Sequence, residues 1–204
     1  MASSIAIGKR HERQVIIILG DELNALNAEA NEPVDYISYQ PRYDVEFKGQ
    51  RILDQTREKG LGDIEWNLDD YPTVEEVKYR SSGYGPPTGA WDQVREARRN
   101  VLNARSEAGL PYQRMWPALI YKNGRNPHRV KIELSMIAEA HGQYSKPYSI
   151  GGTAEVSLSD YAMLVHALFY DRYFERKQRE FKSRQEGAVP SWANSGPLKK
   201  EHSN

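Results

Sequence analysis

The chain has 204 residues, enough for one domain with a real core, or for one domain that carries a long helix and a tail. Lys+Arg and Asp+Glu each number 28, so the net charge is zero and any attraction to nucleic acid or an acidic membrane has to come from a local patch. The absence of cysteine excludes disulfides, thiolate zinc sites and cysteine nucleophiles.

The opening MASSIAIGKRHER has no long apolar region ahead of its charges, and no run approaches the roughly 18 apolar residues of a membrane span. The expected location is therefore cytoplasmic, or within an assembled particle such as a virion.

The first element to resolve is QVIIILGDELNALNAEA, Gln14 to Ala30. A strand, a Gly20 turn and a helix would suggest a nucleotide site. However, Ile16, Leu19, Leu23, Leu26 and Ala30 are spaced three, four, three and four, which is one face of one helix through Gly20. An internal glycine costs only about 1 kcal/mol, and the glycines of a dinucleotide fingerprint are missing. The pattern predicts one helix over residues 9–31. Val15, Ile17 and Ile18 make its second turn apolar nearly all round, so it is expected to be covered on more than one side, by the core or by another subunit.

Residues 35–52 alternate in polarity and predict two or three short strands, with Lys48-Gly49 as a hairpin turn. TVEEVKYR, residues 73–80, predicts another strand, and residues 81–90 a Gly/Pro loop. A helix is predicted over residues 89–108, capped by Thr88, with Trp91, Val94, Ala97, Val101, Ala104 and Ala108 on one face and Gly109 ending it. Residues 118–122 predict a strand that leads into the turn NGRNP.

Asn126-Pro127 then resembles the cap and first position of a helix to about His141, although residues 128–134 also alternate like a strand. Gly151-Gly152 suggests a hairpin. Ser159 is expected to cap a long last helix, to about Gln185, with Tyr161, Leu164 and Leu168 inward, followed by a polar tail in which Trp192 is an anchor candidate.

The five histidines show no HxxxH or HExxH spacing, and there is no G-x-S-x-G elbow. Asp63 followed by Glu76-Val77-Lys78 is similar to the arrangement in a family of metal-dependent nucleases, where an acidic residue precedes a strand bearing D/E-x-K. The resemblance implies two carboxylates holding Mg²⁺ while the lysine steadies the attacking water or the phosphate. Glu46-Phe47-Lys48 and Glu180-Phe181-Lys182 match E-x-K equally well, and the competing reading is a strand with an exposed charge pair.

Arg95, Arg98, Arg99 and Arg105 lie on one predicted helix, and Arg176 and Arg179 on another; either group could meet phosphate. Acidic residues three or four positions before several of these arginines point instead to a self-supporting solvated helix.

The fold expected from these readings is α+β: one mainly helical domain over residues 1–186 with a small antiparallel sheet and a long C-terminal helix, then a flexible tail over residues 187–204. The leading functional expectation is a non-enzymatic structural or assembly subunit of a larger complex. Its protein partners would be met through Val15, Ile17, Ile18 and Trp192, without cofactor or metal. The segment around Arg51-Ile52-Leu53, with Trp66-Asn67 beyond it, resembles phage tail adaptor proteins, which implies a virion connector or adaptor as the form of that role. The alternatives are a nucleic-acid-binding protein using the basic helices, and the Mg²⁺-dependent nuclease.

Overall fold

The computed structural model describes residues 4–30, 45–52, 60–142 and 151–187. In chain order these form α1 (Ser4–Ala30), β1 (Gly49–Arg51), β2 (Ile64–Trp66), β3 (Thr73–Arg80), α2 (Ala90–Glu107), β4 (Trp116–Asn123), β5 (Arg129–Glu133), α3 (Leu134–Ala140), β6 (Thr153–Ser157) and α4 (Leu158–Gly187). The result is an α+β fold, roughly half helical. Contacts divide the chain into two compact units, Met1–Phe169 and Tyr170–Asn204.

α1 is one helix through Gly20, as the apolar spacing predicts, and Val15, Leu19 and Leu23 are fully buried. A Cβ added at Gly20 would meet Phe47 O and the Trp66 ring only at ordinary contact distance, 3.7 and 3.9 Å. Asparagines on α1 take the place of a strand partner for the segment beyond it. Asn24 Nδ2 donates to Phe47 O at 3.1 Å, Phe47 N donates to Asn24 Oδ1 at 2.8 Å, and Asn27 Nδ2 donates to Val45 O at 2.8 Å. A buried ion pair, Arg51 to Glu12 at 2.6 Å, ties β1 to the same helix.

β1 and β2 pair antiparallel, and a four-stranded sheet runs β3-β4-β5-β6. This sheet is mixed. β3 and β4 are parallel and the remaining pairs antiparallel, which corrects the expectation of a small antiparallel sheet. Parallel neighbours require a crossover connection, and α2 supplies it.

Side chains alternate across a strand, so each face of the sheet can be assigned. Val74, Glu76 and Lys78 of β3, with Leu119 and Tyr121 of β4, share the face covered by α2, where Val74 packs on Ala97, and Leu119 and Tyr121 pack with Ala90 and Val94. Thr73, Glu75, Val77 and Tyr79 share the other face, reached by His11 of α1 and Tyr161 of α4.

On that second face, Glu75 is completely buried, and its Oε1 accepts from Thr73 Oγ1 at 2.7 Å and Tyr161 OH at 2.8 Å. Burial pushes its pKa up, against the opposing effect of these hydrogen bonds.

Several local expectations are corrected. Lys48-Gly49 is not a hairpin turn, because Gly49 opens β1 and pairs with Trp66. Gly89, in the left-handed conformation with φ 75°, replaces Thr88 as the cap of α2. The helix expected from Asn126-Pro127 is instead strand β5, with only the short α3 beyond it. The Asn and Pro belong to the β4–β5 turn, in which Asn126 N donates to Asn123 O at 3.1 Å. Ser157 rather than Ser159 caps α4, its Oγ accepting from Asp160 N at 3.0 Å. The strands expected within residues 35–44 and the tail carrying Trp192 lie outside the described residues.

Candidate functional site

The segment leading into β2 runs alongside β3 and brings Asp63 against the E-x-K strand. Asp63 N donates to Glu75 O at 2.8 Å, and Asp63 O accepts from Ile52 N at 3.1 Å. Its carboxylate Oδ2 accepts from Val77 N at 2.8 Å. Gly62 makes this approach feasible. Its φ is 97°, and a Cβ there would lie 2.9 Å from Glu75 O, so only glycine fits without displacing the backbone.

Lys78 Nζ is 2.6 Å from Glu76 Oε2 and 3.7 Å from Asp63 Oδ2. The lysine therefore bridges two carboxylates that lie 13 residues apart in the chain. Burial, followed by the neighbouring Asp63 charge, raises the Glu76 pKa to about 7, and Lys78 pulls in the opposite direction. One ammonium does not fully compensate two acids in a partly buried setting.

Geometry separates the three E-x-K matches. In Glu46-Phe47-Lys48 the lysine pairs with its own glutamate at 2.7 Å, and both side chains are more than 60% exposed. In the unit beginning at Tyr170, Glu180 pairs with Arg176 at 3.8 Å and Lys177 at 3.3 Å on the surface of α4. Among the described residues, Glu76-Val77-Lys78 is the match that acquires a second carboxylate.

The described residues contain no group of three or more His, Asp or Glu able to hold a metal ion. Two carboxylates nonetheless suit Mg²⁺, which keeps several waters and is commonly held by one or two carboxylates plus substrate phosphate. Lys78 already places one ammonium beside both acids and offsets part of their crowding. The donor set therefore offers Mg²⁺ two carboxylates and does not fit a closed structural zinc site.

The other residues singled out in the sequence are spread over the molecule. Val15 is fully buried by the chain itself, Ile18 is half-buried and Ile17 is 62% exposed. On α2, Arg95 and Arg99 are exposed, while Arg98 lies 3.8 Å from Glu133. Arg105 lines a cavity of about 390 Å³ with Tyr71, Val101 and Met115.

In the second unit, Arg179 Nε donates to Glu175 O at 3.4 Å, and Arg176 stacks over Tyr173 at 5.4 Å. These are the local pairs of a solvated helix.

Sequence reasoning missed the pairing of His11 with His128, which stack with ring centroids 5.0 Å apart. No local spacing announces it, because 117 positions separate them in the chain.

No protein-family model, curated protein or solved structure matches the chain.

Proposed function

We propose that the protein is a Mg²⁺-dependent nuclease whose catalytic centre is Asp63, Glu76 and Lys78. The observation that carries this reading is the convergence of Asp63 on Glu76 and Lys78, in the one E-x-K match of three that gains a second acid among the described residues.

Each residue has a distinct part. Asp63, fixed by three main-chain hydrogen bonds, and Glu76 provide oxygen ligands from neighbouring segments of backbone. Lys78 holds its ammonium beside both acids, where it orients the attacking water or offsets charge on the phosphate. Magnesium, when bound, polarises the phosphate and lowers the pKa of a bound water. α2 covers the same sheet face and carries the exposed Arg95 and Arg99, which supply non-specific attraction for a polynucleotide backbone.

The test is cleavage of duplex and single-stranded DNA and of RNA by the purified chain, with Mg²⁺ and with chelator. Glu76→Gln, Asp63→Asn and Lys78→Met are each expected to lower the rate about a hundredfold or more, as loss of a positioned catalytic group does. Wild-type protein that is inactive on all three substrates in Mg²⁺, or a Glu76→Gln variant that retains full activity, contradicts the proposal.

A subunit role within a larger particle is the second proposal. The observation in its favour is the exposure of Ile17 on α1.

A further inference from the structure

A second polar cluster lies at the carboxyl ends of β3 and β4, on the sheet face opposite Glu76 and Lys78. Tyr79 of β3 is in register with Lys122 of β4. Continuing the β4–β5 register beyond Tyr121↔Arg129 sets His128 opposite Lys122. His11 of α1 completes the group. Its ring stacks on His128 at 5.0 Å, 7° from parallel, and lies 5.3 Å from the Tyr79 ring.

His11 is only 5% exposed, and Nε2 of both histidines is buried without a hydrogen-bond partner among the described residues. Leaving two such atoms unpaired is costly, and a ligand that pairs them recovers that cost.

The sign of the charge around the rings indicates what they suit. Burial first, then His128 and Lys122, hold the His11 pKa down at about 4. Burial and then Lys122 lower that of His128. Glu12, beside His11 in the chain, is engaged by Arg51 at 2.6 Å. A cation here meets a lysine, whereas an anion meets an ammonium and two neutral rings that can each turn one N–H toward it.

We propose that His11, His128 and Lys122 form a phosphate-binding subsite, distinct from the Asp63–Glu76–Lys78 centre. Its ligand class is a phosphate group, either free or in a polynucleotide backbone. Binding pairs the two Nε2 atoms and favours the imidazolium form of each ring.

The experiment follows the histidine ring resonances of the full chain by NMR as a function of pH. Inorganic phosphate is added in one arm, and a short DNA oligonucleotide with chelator in the other. Both titration midpoints are expected to rise with at least one ligand. A response to the oligonucleotide alone assigns the subsite to a nucleic-acid backbone, and a response to phosphate assigns it to phosphate in general.

His128→Gln and Lys122→Gln are each expected to weaken binding about tenfold, the loss of one charge-assisted hydrogen bond. Glu76→Gln is expected to leave the response intact, so this inference and the nuclease reading fail separately. Rings that respond to neither ligand, or a response unchanged in Lys122→Gln, overturn the subsite.

Discussion

Glu76 is an acid held where its charged form is unwelcome. Its pKa is about 7 in the fold against 4.5 without it, so between those values the native state binds the proton that the unfolded chain releases. The contribution of Glu76 to stability therefore falls as pH rises from about 4.5 to about 7. His11 acts with the opposite sign. Its folded pKa of about 4 lies below the ordinary 6.5, so its contribution grows as pH rises through that interval.

The difference between wild type and Glu76→Gln isolates the first effect. In chelator, the variant is expected to have the higher thermal midpoint at about pH 8 and little advantage at about pH 5, by scanning calorimetry. An equal midpoint at about pH 8 would remove the claim that Glu76 is strained in its deprotonated form.

The acids and lysine of this centre could be named from the sequence, because an E-x-K strand preceded by an acid is a local pattern. Its selection over Glu46-Phe47-Lys48 could not, because that depends on which backbone runs beside β3. The His11–His128–Lys122 group had no sequence signal, being assembled from a helix, a strand end and a turn.

At the scale of elements, the helical stripes were legible because an apolar period of three and four, kept over several turns, places one face of a helix against a core and fits no strand. α1 is the clearest case, and Gly20 within it gives a test. It is helical, and an added methyl there meets only ordinary contacts, at 3.7 Å and beyond. Gly20→Ala is therefore expected to stabilise the protein by up to about 1 kcal/mol. Gly62→Ala is expected to cost on the order of 1–3 kcal/mol, through its positive φ and its closeness to Glu75 O. Denaturant unfolding of the two variants checks both signs.

Tyr161→Phe removes a hydrogen-bond donor from the buried Glu75 and is expected to cost about 1–3 kcal/mol. A neutral result by the same measurement would mean that β3 and α4 are held together by apolar packing alone. β5 was obscured because Asn-Pro signals a helix start and a turn alike. The alternation of residues 128–134 was the sounder guide, since burial of Val130 and Ile132 on one side of the strand fixes the register with β4.

At the scale of the whole molecule, the apolar excess of α1 is largely covered within the chain. Val15, Leu19 and Leu23 are fully buried, and the exposed large apolar side chains of α1 among the described residues, Ile7 and Ile17, stand ten positions apart, as scattered side chains that ordinary surfaces tolerate. The expected native mass is accordingly that of one chain, 23.4 kDa, by light scattering. A larger mass that Ile17→Asp reduces would favour the subunit role instead. No helix of the described residues is long and apolar enough to cross a membrane.

The most direct test is a carbon-detected NMR titration of the Glu76 side-chain carboxyl, with and without Mg²⁺. Crowding of Asp63 and Glu76 around a cation site predicts a midpoint near 7 in chelator that drops clearly when Mg²⁺ is added. A midpoint near the ordinary 4.5, indifferent to Mg²⁺, would contradict it.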